Sequence, residues 1–248
     1  MLLAISVGNT NTAFGFWAGE WVHIGRASTH GIAIADAYND ICREAGISGV
    51  PGAVLCASVV SQMDSVLAEY SQRHLSRPIQ FLRAGNAGIH IDYDPPESAG
   101  ADRLANAMAV KLKYGFPAIA VDMGTAVTLD VVDAEGAFVG GCVLPGPRLA
   151  AEALAAKTGL AEIEPAVPGP AIGKSTIQCL QSGIVFGCAG AVSALITRVT
   201  NDLGRNPRVV ATGGWAKTFA PLCPEIEAVD ETLTLEGILL AFGYQIGV

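Results

Sequence analysis

Basic residues are scarce in this chain. Against 23 Asp and Glu there are 15 Lys and Arg, leaving a formal net charge of −8. That balance offers no basic face for a nucleic-acid backbone, so general nucleic-acid binding is not expected. A phosphate-bearing small molecule is not excluded, because backbone amides bind phosphate without Lys or Arg. Charged residues of both signs make up only 15% of the 248 residues. The six cysteines, Cys42, Cys56, Cys142, Cys179, Cys188 and Cys223, include no C-x-x-C pair. A zinc or disulfide framework is therefore not expected, and each thiol reads as a small buried hydrophobe. His23, His30, His74 and His90 have no ligand spacing. The G-x-x-x-x-G-K-[ST] phosphate loop is absent around Lys174. No apolar run reaches the roughly 18 residues of a membrane span. The N-terminus has neither a basic n-region nor an apolar h-region with a cleavage site. A cytoplasmic protein without a membrane segment is the expectation.

What is present is apolar and rich in glycine: 51% hydrophobic residues and 29 Gly. That suits an α/β protein with many tight turns rather than a disordered chain. Two segments read as copies of one device. Residues 5–14, Ile-Ser-Val-Gly-Asn-Thr-Asn-Thr-Ala-Phe, match residues 121–130, Val-Asp-Met-Gly-Thr-Ala-Val-Thr-Leu-Asp. Placing Ser6 on Asp122 brings Gly8 onto Gly124 and Thr12 onto Thr128. Each copy reads as strand, polar turn with a central glycine, and second strand. Such turns present backbone N–H groups and let phosphate approach the chain. Two copies, one per half, point to two similar domains closing on a nucleotide.

The rest of the chain fits that division. Residues 1–7, 13–17 and 21–27 read as a strand meander. A helix follows over 31–45, with Ile32, Ile34, Ala37 and Ile41 as its apolar points. Residues 53–60 read as a buried parallel strand, 61–75 as a helix with Ser61 as its cap, and 79–82 as a strand. A helix over 101–114 carries the chain across. The second half repeats the scheme: strands over 118–121, 127–132, 138–144, 208–211 and 225–229, and helices over 147–157, 174–201 and 234–246. Residues 162–171, with three prolines, read as a loop. The order predicts two ribonuclease-H-like domains, residues 1–100 and 101–248, in an α/β fold.

The motif Asp-x-Gly-Thr-Ala-x-Thr at 122–128, with the first hairpin, resembles the superfamily of acetate and sugar kinases, heat-shock ATPases and actin. A narrower resemblance lies in Gly100-Ala101-Asp102-Arg103-Leu104-Ala105-Asn106-Ala107, with Tyr93 and Pro96 upstream. Residues 140–146, 173–176, 181–183, 211–214 and 233–237 add further blocks in the same order. Together the blocks resemble the type III pantothenate kinase family. The resemblance implies an actin-like ATPase fold with a nucleotide cleft between the domains. It implies transfer of the ATP γ-phosphate to the hydroxyl of pantothenate, as the first step of coenzyme A synthesis, by a homodimer that uses Mg²⁺ and K⁺ or NH₄⁺. By motif, Asp102 is then the general base. Tyr93, Gly100, Ala101, Asp102, Arg103 and Thr176 hold pantothenate. Ser6, Val7, Gly8, Asn9, Thr10, Asn11, Thr12 and Ala13, with Gly124, Thr125, Gly213 and Gly214, hold ATP. Asp122 binds the monovalent cation.

The residues alone leave alternatives. Asp102 begins a helix, where a carboxylate is stabilised as the anion whether or not it takes a proton from substrate. Arg103 suits a bidentate grip on a carboxylate, or a salt bridge between domains. Tyr93 also reads as a core aromatic. Asn9 and Asn11 also read as turn formers. Gly213-Gly214 admits a flat base close to the backbone, or simply starts a helix. Residues 174–203 are rich in small and apolar types, with Gly183, Gly187 and Gly190 near one face. An exposed apolar helix of this kind predicts a two-fold homodimer interface. The family's first motif begins Asp-x-Gly-Asn-Thr, and here Ser6 stands in place of that aspartate. The change fits a degenerate relative that binds ligand without turnover, an altered metal site, or a change introduced into the sequence. A related hydroxy acid is the alternative acceptor.

Overall fold

The structure is a computed structural model and describes residues 1–29 and 34–246. The expected start of the helix at residue 31, its apolar point Ile32, and His30 lie outside the described residues. The chain forms two compact units. Residues Met1–Lys113 and Thr232–Val248 make the first, and Tyr114–Glu231 the second. The sequence reading places one cut, at residue 100; by contacts the first unit is instead built from two separate stretches of chain.

In the first unit, β1 (Leu2–Val7), β2 (Asn11–Trp17) and β3 (Trp21–Ser28) form an antiparallel meander, with β4 (Ala53–Ser58) and β5 (Ile79–Phe81) added in parallel beside β1. The sheet order is β3-β2-β1-β4-β5. Leu3, Ile5 and Val7 alternate onto one face of β1. There they join Phe14 and Phe16 of β2, Ala37, Tyr38 and Ile41 of α1 (Ile34–Glu44) and Leu67 of α2 (Ser61–His74) in one core. Strand β4 is buried along nearly its whole length, as a parallel strand covered on both faces must be. Ser61 is the first residue of α2 and not its cap; Val60 holds the cap position without a side-chain bond.

Two further helices belong to this unit, α3 (Ala101–Tyr114) and α7 (Leu233–Ala241). They approach very closely: a Cβ on Gly237 would fall within the carbonyl of Ala105, so only glycine fits. The Thr234 hydroxyl donates to Asn106 Oδ1 at 2.8 Å, and Asn106 is fully buried. Glu236 accepts from Trp21 Nε1 (3.1 Å) and the Thr232 hydroxyl (2.9 Å), and pairs with Lys113. The motif at 233–237 thus serves to hold α3. Helix α7 stops at Ala241, just before the positive-φ Gly243, and does not reach residue 246.

The second unit repeats the arrangement. Strands β6 (Ala118–Met123), β7 (Ala126–Val132), β8 (Phe138–Pro145), β9 (Arg208–Thr212) and β10 (Ala228–Val229) stand in the order β10-β9-β6-β7-β8. This matches the first sheet strand for strand. Strand β10 is shorter than the sequence predicts. Helices α4 (Pro147–Thr158), α5 (Thr176–Leu203) and α6 (Ala216–Phe219) complete the unit. Val185, Ala189, Val192 and Ile196 of α5 pack on Ile119, Val121, Leu129 and Val209 of the sheet. Among the described residues, α5 alone is long and apolar enough to cross a membrane, a departure from the expectation; a core helix passes the same test, and this one carries part of the core. All six cysteines are free thiols; Cys56 and Cys223 are buried as expected, but Cys179, near the start of α5, is exposed.

Candidate active site

The first hairpin is built from neutral groups. Its turn closes with Gly8 N–H donating to Asn11 O at 3.0 Å. Thr29, beyond β3, braces it: its N–H donates to Thr10 O at 2.8 Å and its hydroxyl to Gly8 O at 2.7 Å. With that hydrogen committed, the fully buried Thr12 hydroxyl donates to Thr29 Oγ1 at 3.0 Å. Thr12 is therefore part of the brace, facing inward. Asn9, Thr10 and Asn11 are exposed, Ser6, Gly8 and Ala13 half-buried, and Val7 lies in the core.

The second hairpin is one residue shorter, with Gly124 N–H donating to Ala126 O at 3.0 Å. Its strands pair Asp122 with Thr128, whereas Ser6 pairs with Ala13. Ser6 and Asp122 are equivalent, but Thr128 matches Ala13 in space and not Thr12, correcting the ungapped alignment. Two other turns close around this hairpin. Gly146 N–H donates to Thr125 O at 2.9 Å, and a Cβ on Gly146 would lie 2.5 Å from that oxygen. Gly213, with φ of 89°, comes so near Asp122 that a Cβ would lie 2.5 Å from Oδ1. Trp215 N–H donates to Met123 O at 3.0 Å. Thr125 and Gly214 are exposed. Behind Asp122, the Thr128 hydroxyl donates to the fully buried Asp130 at 3.0 Å. Gly146, Thr128 and Asp130 were not singled out as site residues from the sequence. The Pro145-Gly146-Pro147 run, a glycine just before a proline-led helix, was the available signal.

The acceptor-side residues expected from the sequence gather at the head of α3. Arg103 N–H donates to Asp102 Oδ1 at 2.8 Å. Gly100 leaves room for that carboxylate, since a Cβ there would sit 2.7 Å from Oδ1. The Arg103 guanidinium lies over the Tyr93 ring, 5.8 Å from its centre. Ala101 is buried. Burial pushes the Asp102 carboxyl up from its ordinary value, against the opposing pull of the Arg103 N–H and guanidinium. The helix-start argument anticipated only the stabilising side of that balance. Thr176 lies in the other unit, exposed, as the first residue of α5 after the capping Ser175.

Among the described residues, no group of three or more His, Cys, Asp or Glu is placed to hold a metal. The first hairpin, residues 6–13, contains no carboxylate at all. A divalent cation in such sites relies on one or two carboxylates besides phosphate oxygens, so this hairpin does not fit Mg²⁺. The second hairpin offers the Asp122 carboxylate among backbone carbonyls, an all-oxygen set that fits a hard cation.

A family model described as type III pantothenate kinase matches residues 2–198. Curated relatives bearing that description include one from Thermomicrobium roseum, 38% identical over 250 residues, covering 98% of this chain and 96% of the relative. Another, from Thermus thermophilus, is 38% identical over 248 residues, covering 96% and 97%. Among solved structures, component A of the (R)-2-hydroxyglutaryl-CoA dehydratase of Acidaminococcus fermentans matches with a TM-score of 0.59 at 14% identity, covering 97% of this chain and 95% of that one. The activator of the 2-hydroxyisocaproyl-CoA dehydratase of Clostridium difficile, solved with bound ADPNP, matches with a TM-score of 0.57 at 13% identity, covering 97% and 94%. At such identities the likeness is one of fold, and it bears out the expected α/β fold class.

Proposed function

The chain belongs to the type III pantothenate kinase family, and from that membership we propose that it transfers the γ-phosphoryl group of ATP to the hydroxyl of pantothenate. The observation that carries the proposal is the cluster of Tyr93, Asp102 and Arg103 at the head of α3. In this reading the pantothenate hydroxyl oxygen attacks the γ-phosphorus, the bond to the ADP oxygen breaks, and Asp102 takes the hydroxyl proton. Burial moves the Asp102 carboxyl toward the working pH, where a general base is most effective. Arg103 grips the pantothenate carboxylate while the Tyr93 ring holds the guanidinium flat. Gly100, Ala101 and Thr176 complete the acceptor side.

The turns of the two hairpins, within residues 6–13 and at Gly124 and Thr125, receive the phosphates, and Gly213-Gly214 the adenine; the Gly8 and Gly124 N–H groups stay in the hairpin closures. Positioning of this kind supplies most of the catalysis in phosphoryl transfer. Asp122 would hold K⁺ or NH₄⁺, which supplies positive charge beside the phosphates when bound. No residue of the first hairpin is assigned to Mg²⁺.

The same proposal includes a cytoplasmic homodimer. On α5, Gly183, Gly187 and Ala191 line an open groove with Leu144, Pro145 and Leu154. Nearby Val143 and Ile177 are 64% and 53% exposed. A second copy seated there would remove this apolar face from water. A monomer mass by light scattering at micromolar concentration would refute the dimer.

The activity is tested by pantothenate-dependent ADP formation with Mg²⁺ and K⁺. Ser6 favours a second reading, a relative that binds nucleotide or pantothenate with little or no turnover. Calorimetric binding without ADP formation, with turnover restored in Ser6→Asp, supports the second reading; robust turnover by the unaltered chain removes it. Turnover of another hydroxy acid, with none of pantothenate, would overturn the acceptor.

A further inference from the structure

The two hairpins occupy equivalent places in equivalent sheets, and their key position differs in chemistry. Asp122 is flanked across the sheet by Thr128 on β7 and Thr212 on β9. Ser6 is flanked by Ala13 on β2 and Ala57 on β4. Directly paired residues share a face, so Asp122 stands among hydroxyls and Ser6 among methyls. The carboxylate and its polar neighbours are absent from the first site together. Among the described residues, none hydrogen-bonds the half-buried Ser6 hydroxyl. The remaining side chains of the turn, on Asn9, Thr10 and Asn11, are exposed and uncharged.

A carboxylate has no proton to donate, so it meets a phosphate only through a cation or a water. A hydroxyl donates directly. We propose that the Ser6 hydroxyl donates to a nucleotide phosphate oxygen, so that the first hairpin grips the nucleotide directly and without a metal bridge. This rests on the nucleotide-binding reading above and specifies how one half of that site works. The alanine flanks fit the role: they add neither negative charge to repel the phosphate nor a competing acceptor for the serine proton. The hairpin then acts as a set of neutral donors, the backbone amides of the turn together with one hydroxyl. Its contribution to binding is independent of Mg²⁺.

The test is calorimetric titration of the full chain with a non-hydrolysable ATP analogue, K⁺ present throughout, in EDTA and again in Mg²⁺. For the unaltered chain the two dissociation constants should agree within about threefold. Ser6→Ala should weaken both by a similar factor, roughly 3- to 10-fold, the worth of one hydrogen bond. Ser6→Thr, which keeps the hydroxyl, should restore most of that loss. Ser6→Asp should weaken metal-free binding by about 10-fold or more through like-charge repulsion, and make binding depend on Mg²⁺. Ser6→Ala leaving both constants unchanged would overturn the proposal, as would strong Mg²⁺ dependence in the unaltered chain. If Ser6→Asp does not fold, the alanine and threonine variants decide alone. Failure of every form to bind nucleotide would instead sink the phosphotransferase reading itself.

Discussion

The two units share a strand order but not the chemistry of their first turns. The first hairpin is a four-residue turn of uncharged side chains, braced from behind by Thr29. The second is one residue shorter, carries a carboxylate at its mouth, and is wedged between the turns at Gly146 and Gly213. One scaffold therefore supports two contrasting electrostatic environments, because the turn lies outside the core that dictates the fold. The core demands only that Leu3, Ile5 and Val7, or Ile119, Val121 and Met123, face inward. What stands at the strand end is set by chemistry, not packing.

The sharpest way to separate the units is to alter Asp102, the proposed base, which belongs to the first unit but to neither hairpin. Asp102→Asn should lower kcat by about 10² to 10⁴ while leaving nucleotide affinity, measured by calorimetry, nearly unchanged. Retention of full activity would return Asp102 to the role of a helix-start charge. In the parent, the acid limb of the pH–rate profile should lie above the usual aspartate range, since burial raises this carboxyl. The stability consequence has a definite sign. A group whose folded-state pKa is raised contributes stability below its unfolded value and loses it as pH rises through the folded value. Asp102→Asn, neutral throughout, should therefore melt higher than the parent near neutral pH, with the gap closing in acid.

The next effect falls on the wedged hairpin. Gly213→Ala forces a side chain into positive φ and against Asp122. It should cost about 2–4 kcal/mol in chemical denaturation. Gly8→Ala, whose Cβ would lie 3.2 Å from Asn11 O without positive φ, should cost about 1 kcal/mol or less. Equal costs would mean that the two turns are held alike. The smallest effect concerns the cation. Asp122→Asn should raise the K⁺ concentration for half-maximal activity roughly tenfold, and an unchanged K⁺ response would remove Asp122 from that role.

Much of this was legible in the sequence, because local rules decided it. Alternating apolar residues bounded by Gly and Asn marked the strands, and Gly100-Ala101-Asp102 marked the head of α3. The length of the second turn was not legible: an ungapped match hides a single missing residue, and so Thr12 was set against Thr128. The inward-facing role of Thr12 depends on Thr29, 17 positions away. The direction of the Asp102 shift depends on burial, which tertiary packing supplies and helix position does not reveal. Cys179 lies in an apolar stretch yet faces solvent, because a helix turns some positions of any such stretch outward.

The close seat of Gly237 against Ala105 has a consequence for the order in which the protein is made. The second unit is one continuous stretch, complete as soon as Glu231 has been synthesised. The first unit begins earlier and finishes later. Its helix α3, with Asp102 at the head, lacks a cover until α7 emerges, and the Asn106–Thr234 bond joins residues 128 positions apart. A nascent chain stopped short of Leu233 would hold a finished second unit and an unfinished first one. The later-made residues of α7 thus decide when the earlier-made helix α3 gains its partner.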